Sequence, residues 1–125
     1  MKPSSFNLTT IELKNFIPCK DFKISIAFYT LLGFEILWQD EQLCLLAFGQ
    51  TKFFLQNFYE KDLAENYMMH LLVENADDWY QHSKKLSLEE KFDCTITTPE
   101  NREWNMRDFV LIDPSGVLWR IGHNT

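Results

Sequence analysis

A chain of 125 residues is the size of one domain, since single domains run to about 100–200 residues. Twelve Lys and Arg against 18 Asp and Glu leave a net charge of −6, without the basic stripe that a nucleic-acid binder carries. The balance of 46% hydrophobic and 24% charged residues excludes a disordered chain, and no run approaches the roughly 20 apolar residues of a membrane span. Met1-Lys2-Pro3-Ser4-Ser5 leads into no apolar signal core, so no secretion signal is expected. Cys19, Cys44 and Cys94 are odd in number and far apart, which argues against a disulfide framework or a zinc knuckle and fits a reducing cytoplasm. Eleven Phe, four Trp and four Tyr exceed the needs of so small a core, so some of them are expected to recognise a ligand.

Residues 11–19 alternate in part and read as a strand, with Pro18 placing it at an edge or at its own end. Asp21 can cap a helix running to Leu32, with Ile24, Ala27, Phe28 and Leu31 on one face and Gly33 as its stop. Strands are predicted over 34–38, 43–48 and 52–57, separated by turns at 39–41 and 49–50. A polar stretch, 59–66, divides the halves. The second half opens on a strand at 67–73. Asn75 or Asp77 then caps a helix carrying Ala76, Trp79, Tyr80, Ser83 and Leu86. Strands over 92–98, 106–112 and 117–122 complete it, the last two joined by the turn Asp113-Pro114-Ser115-Gly116.

Each half therefore reads β-α-β-β-β, with the caps Asp21 and Asn75 54 residues apart. Modules of about this length are marginal alone. The expectation is one α+β domain over 1–125 with modules at 8–58 and 66–124, whose strands form a curved, open mixed sheet around a cavity with the helices outside.

Two stretches carry a resemblance: Cys19-Lys-Asp21 with Ser25-Ile-Ala-Phe28-Tyr29 and Leu31-Leu-Gly-Phe34, and Trp104-Asn-Met-Arg107 through Asp113-Pro114-Ser-Gly116 to Arg120. In this order they resemble the vicinal oxygen chelate superfamily, which includes glyoxalase I, extradiol dioxygenases and bleomycin-resistance proteins, and most of all the bleomycin-resistance branch. The resemblance implies paired βαβββ modules and a homodimer with ligand grooves between subunits, often with the first strand exchanged. Metal-dependent members of the superfamily hold their ion with His and acidic residues on the inner strands. The corresponding positions here are Lys14, Gln56, Met68 and Arg120. Two cations, an amide and a thioether do not suit a hard or borderline divalent metal. No metal and no cofactor is therefore expected.

His70 lies two residues from Met68 on the same strand face and reads either as a surviving ligand or base or as a cavity-lining imidazole. His82 and His123 read as solvated, and the cysteines as small buried hydrophobes. Among the tryptophans, Trp79 and Trp119 are assigned to the core, and Trp38 and Trp104 to ligand contact beside Phe54. The clusters Asp77-Asp78 and Glu89-Glu90-Lys91 read as solvated surface. Arg107 either clamps a ligand or pairs with Asp108 or Glu103.

The candidate ligand-binding set is Trp38, Phe54, Gln56, His70, Trp104, Arg107 and Arg120. An aromatic slot takes a flat heteroaromatic compound by offset stacking, and acidic surroundings favour a cationic one. Bleomycin-type glycopeptides, to which the resemblance points, offer a planar bithiazole and a charged tail. Positive groups inside the cavity suit an anionic or carbonyl-bearing ligand better. The expected function is stoichiometric binding of a small molecule, with no nucleic-acid or membrane partner. The alternative is a metal-dependent glyoxalase- or dioxygenase-type enzyme with a relocated site.

Overall fold

The structure is a computed structural model and describes residues 5–125. Its first half comprises β1 (Phe16–Pro18), α1 (Phe22–Leu32), β2 (Glu35–Gln39), β3 (Leu43–Phe48) and β4 (Thr51–Gln56). These strands make an open sheet of order β1-β4-β3-β2, in which β1 and β4 run parallel and the others antiparallel. After α2 (Lys61–Glu65), the second half comprises β5 (Met68–Leu72), α3 (Ala76–Lys85), α4 (Leu88–Lys91), β6 (Thr95–Ile96), β7 (Glu100–Arg102), β8 (Met106–Ile112) and β9 (Leu118–Asn124). Its sheet repeats the first pattern: β5 lies parallel to β9, followed by β8 and β6, with β7 also paired to β8. The result is an α+β fold of two open mixed sheets with helices on one side.

Both main helices begin as their caps predict. Asp21 Oδ1 accepts from the backbone N–H of Ile24 at 3.2 Å, and Asn75 Oδ1 from that of Asp78 at 2.9 Å. Gly33 ends α1 at φ 126°, and a Cβ there would lie 2.8 Å from the Phe48 ring.

One apolar core joins the two halves. Tyr29 on α1 packs against Phe34, Phe53 and Trp119, and Phe28 meets Phe92 edge-on. The Tyr29 hydroxyl donates to Asp113 Oδ2 at 2.6 Å and accepts from Trp119 Nε1 at 2.8 Å. Asp113 Oδ1 takes the backbone N–H groups of Ser115 and Val117, closing the turn before β9. Burial pushes the Asp113 carboxyl above its ordinary range, and these donors pull it partly back. Trp119 is core as expected; Trp79 is half-buried, its ring 4.7 Å from that of Phe48.

Several elements depart from the sequence reading. Only Phe16–Pro18 of the 11–19 stretch is strand; Leu8, Ile11 and Leu13 lie more than four-fifths exposed on an arm. On α1 the buried face is Ser25, Phe28, Tyr29 and Leu32, one position on from the expected stripe, and Ile24 faces solvent. The shift follows from the Tyr29–Asp113 bond and from Ser25 Oγ lying 3.3 Å from Ser115 Oγ, polar ties that apolar periodicity cannot register. The polar stretch 59–66 contains α2, anchored by buried Ala64. The predicted strand 92–98 contracts to Thr95–Ile96, because buried Leu88 holds α4 immediately upstream. The loop 98–105 contains β7, and β9 runs two residues beyond the predicted end.

The candidate site on the open face

Residues directly opposite one another in neighbouring strands share a face of the sheet. In the first sheet, Phe16 stands opposite Phe54, Phe54 opposite Leu45, and Leu45 opposite Trp38. Their intervening neighbours Ile17, Phe53, Leu55, Cys44 and Leu46 are buried towards the helices. The four therefore form a continuous apolar row on the face turned away from them, here termed the open face. Phe16 and Phe54 stack at 4.7 Å and 8° between ring planes. Trp38 and Phe16 remain 47% and 46% exposed.

Trp38 owes its place to a bulge. Ile36 pairs with Leu46, yet Trp38 pairs with Leu45, so Leu37 and Trp38 together oppose one residue. In strict alternation along 36–38, Trp38 would share the face of Ile36 and turn towards the helices; the bulge turns it to the open face instead. Gln56 also lies on the open face, one row on and opposite Leu43.

On the second sheet, the open face carries His70 opposite Arg120, and Arg120 opposite Val110. The neighbouring row holds Asp108 between Gly122 and Glu100. Asp108 is 1% exposed and receives Arg102 Nε at 2.8 Å and Arg120 Nη1 at 3.2 Å on its two oxygens. The carboxylate raises the Arg102 pKa, its bond to the guanidinium being the largest cause. Trp104 tops the β7–β8 turn, which Asn105 closes in the left-handed region at φ 60°. Its ring centroid lies 5.8 Å from Arg120 Cζ.

The predicted residues thus divide. Trp38, Phe54 and Gln56 share the open face of one sheet; His70 and Arg120 share that of the other, with Trp104 over Arg120. Arg107 points to the helix side, where Nε and Nη2 hold the two oxygens of Asp77 at 2.9 Å each. Its partner is Asp77 rather than Asp108 or Glu103, and the guanidinium holds the Asp77 carboxyl below its ordinary value. Asp77 is accordingly tied into the fold rather than merely solvated. His82 and His123 are also engaged: His82 Nε2 lies 2.6 Å from the Leu32 carbonyl, and His123 Nδ1 accepts from the Ala76 N–H at 2.9 Å. Cys19 and Cys44 are buried and Cys94 is half-buried. Burial pushes Cys19 to about 12 and Cys94 to about 11, far from nucleophilic range.

Phe16, Leu45, Arg102 and Asp108 escaped the sequence reading. The signal for Asp108 was present: an acid alternating with apolar residues inside a strand, facing a glycine across the ladder.

The positions that match metal ligands do not gather into a donor set. Lys14 Nζ lies 3.4 Å from Glu12, whose other oxygen meets Lys52 at 3.0 Å. Lys52 and Gln56 are four residues apart on β4, about 13 Å at strand rise. Among the described residues, no three His, Cys, Asp or Glu side chains could jointly hold a metal ion. The residues present do not fit the metal of the superfamily's enzymes.

Two open mixed sheets of the same strand order, packed under helices, define a paired-module α+β protein with a solvent-facing wall. The profile of the Glyoxalase/Bleomycin resistance protein/Dioxygenase superfamily matches residues 8–121, and the chain belongs to that superfamily. It is 30% identical over 112 residues to a bleomycin resistance protein of Klebsiella pneumoniae, covering 86% of this chain and 88% of that one. Among solved structures, a bleomycin-binding protein complexed with bleomycin is 27% identical at a TM-score of 0.80, covering 93% of this chain and 100% of that one. A bleomycin resistance determinant encoded on the transposon Tn5 is 25% identical at 0.79, covering 92% and 98%.

Proposed function

We propose that this protein binds a flat small molecule on its open face, with bleomycin the first compound to test, and holds it without making or breaking a bond. The carrying observation is the Phe16–Phe54–Leu45–Trp38 row, an aromatic wall left half-exposed where a core would be covered. A wall becomes a slot only when something faces it. In this reading a second copy of the chain does so, and a homodimer forms the groove. The apolar arm bearing Leu8, Ile11 and Leu13 supports that pairing, since such surface gains by burial against a partner. The fold and the relatives' names support a bleomycin-type ligand. Three free cysteines support a reducing compartment, the cytoplasm.

Titration with metal-free bleomycin, followed by tryptophan fluorescence and calorimetry, tests the binding, while light scattering after gel filtration reads the dimer. Saturable binding at one or two drugs per dimer is expected, with a loss of at least tenfold in Trp38→Ala. No saturable signal by either method overturns the bleomycin reading. Metal analysis of protein purified without chelator tests the enzymatic alternative. Stoichiometric Fe, Mn, Ni or Zn would reverse the ranking.

A further inference from the structure

Trp104 stands at the tip of the hairpin joining β7 and β8, 57% exposed, with the Arg120 guanidinium 5.8 Å from its ring centroid. Arg120 takes one side of the ring, so the other side is what a ligand meets. The ladder beneath does little to fix the tilt of this hairpin, because β7 has three residues and, among the described residues, pairs with β8 alone. Other bonds must hold it. On the open face, Arg102 Nε donates to Asp108 at 2.8 Å. At the tip, the Thr125 N–H donates to the Asn105 carbonyl at 3.0 Å.

A further tie comes from behind the sheet. Arg107 donates Nε and Nη2 to the two oxygens of Asp77 at 2.9 Å each, and Nη1 to Asn101 Oδ1 at 3.2 Å. Asn101 stands opposite Arg107 on β7, and Asp77 lies in the first turn of α3. One guanidinium on β8 therefore bonds the facing residue of β7 to the helix layer. The anchor on α3 is firm: a carboxylate in the first turn complements the helix dipole, and the adjacent Ala76 N–H is taken by His123 Nδ1 of β9 at 2.9 Å. Part-exposed ion pairs add little stability, and these two side chains are 30% and 49% exposed. What a bidentate guanidinium–carboxylate pair fixes is direction, since both groups are planar and both bonds must align.

We propose that Arg107, held by Asp77, is a positioning residue: from behind the sheet it sets the β7–β8 hairpin so that Trp104 forms one side of the ligand groove. This rests on the open face being that groove and adds what orients one of its walls. Arg107 then touches no ligand itself, and the groove depends on a carboxylate of α3 that lies on the far side of the sheet.

The experiment is a double-mutant cycle of Asp77→Asn and Trp104→Ala on the affinity for metal-free bleomycin, read by calorimetry. Trp104→Ala is expected to weaken binding about tenfold, by removing a contact, and Asp77→Asn about fivefold, by misplacing it. In the Trp104→Ala background, Asp77→Asn should then change affinity by less than about twofold, because the residue it positions is gone. Asp77→Glu keeps the carboxylate and should bind to within about twofold of wild type. Independently of any ligand, the indole N–H resonance of Trp104, assigned by its loss in Trp104→Ala, should move in Asp77→Asn while that of buried Trp119 holds. Should Asp77→Asn fold poorly, Asn101→Ala removes only the exposed Nη1 bond and should move the same resonance. A Trp104 resonance that stays put, full affinity in Trp104→Ala, or equal losses from Asp77→Asn in both backgrounds overturns this role and leaves the groove. Absence of saturable bleomycin binding in wild-type protein overturns the groove and this role together.

Discussion

Tyr29→Phe isolates the polar link between the two halves. The ring stays, so no cavity opens; only the hydroxyl is lost, and it serves two fully buried partners. The bond to the Asp113 carboxylate is worth about 1.5–3 kcal/mol, as hydrogen bonds to charged groups are, and a stranded indole N–H costs about 1–3 kcal/mol more. Removing the desolvation cost of the hydroxyl offsets part of this, leaving a net loss of about 3 kcal/mol, or about 12 °C in Tm at this chain length. The pH dependence is specific. A carboxyl whose folded pKa is raised contributes stability below its unfolded pKa, and that contribution is lost as pH rises through the folded value. The Tyr29 hydroxyl opposes that rise, so removing it penalises the folded state most at neutral pH. Urea titration should therefore show the largest difference from wild type at pH 7 and a smaller one near pH 4. A loss below about 1 kcal/mol at pH 7, or a difference that grows on acidification, would refute this account of the network.

Gly122→Ala must push a methyl against Asp108 Cβ at 2.7 Å and the Arg107 carbonyl at 2.9 Å, and should lose about 2–3 kcal/mol in urea titration. An unchanged midpoint would show that the β8–β9 ladder yields easily there. Deleting Leu37 removes the bulge but leaves Trp38 next to Ile36 and still opposite Leu45 on the open face, so affinity for bleomycin by fluorescence should stay within about threefold while the circular dichroism spectrum holds. A loss of about tenfold or more would show that the deletion does not preserve the pairing of Trp38 with Leu45. At pH 8, a disulfide-exchange reagent should find Cys19 inert in native protein and titrate three thiols in denaturant, because burial holds Cys19 at about 12. Rapid native labelling of Cys19 would contradict its burial.

The repeat, the helix caps and the Asp-Pro-Ser-Gly turn were legible because each depends on local chemistry: an Asx side chain over three residues, a proline and a glycine at fixed turn positions. Phe54 with Gln56, and His70 with Met68, could be assigned common faces from strand alternation, whereas Trp38 reaches the open face only through the bulge in β2. What alternation could not supply was register between distant strands. Phe16 joins the aromatic row only because β1 pairs with β4 across nearly forty residues, and Arg102 reaches Asp108 only because β7 folds back on β8. Arg107 misled for the same reason. Its partner, Asp77, comes from a helix thirty residues earlier in the chain.

The ties between halves also bear on how the chain is made. Tyr29 waits for Asp113, 84 residues later, and for Trp119, 90 residues later. At roughly 5–20 residues per second, the ribosome needs roughly 5–20 s to supply those partners. Through that interval Phe28 and Tyr29 belong to a half whose core lacks its second wall. Newly made protein is then at its most aggregation-prone, and slower translation of the second half would lengthen that exposure without changing the finished molecule.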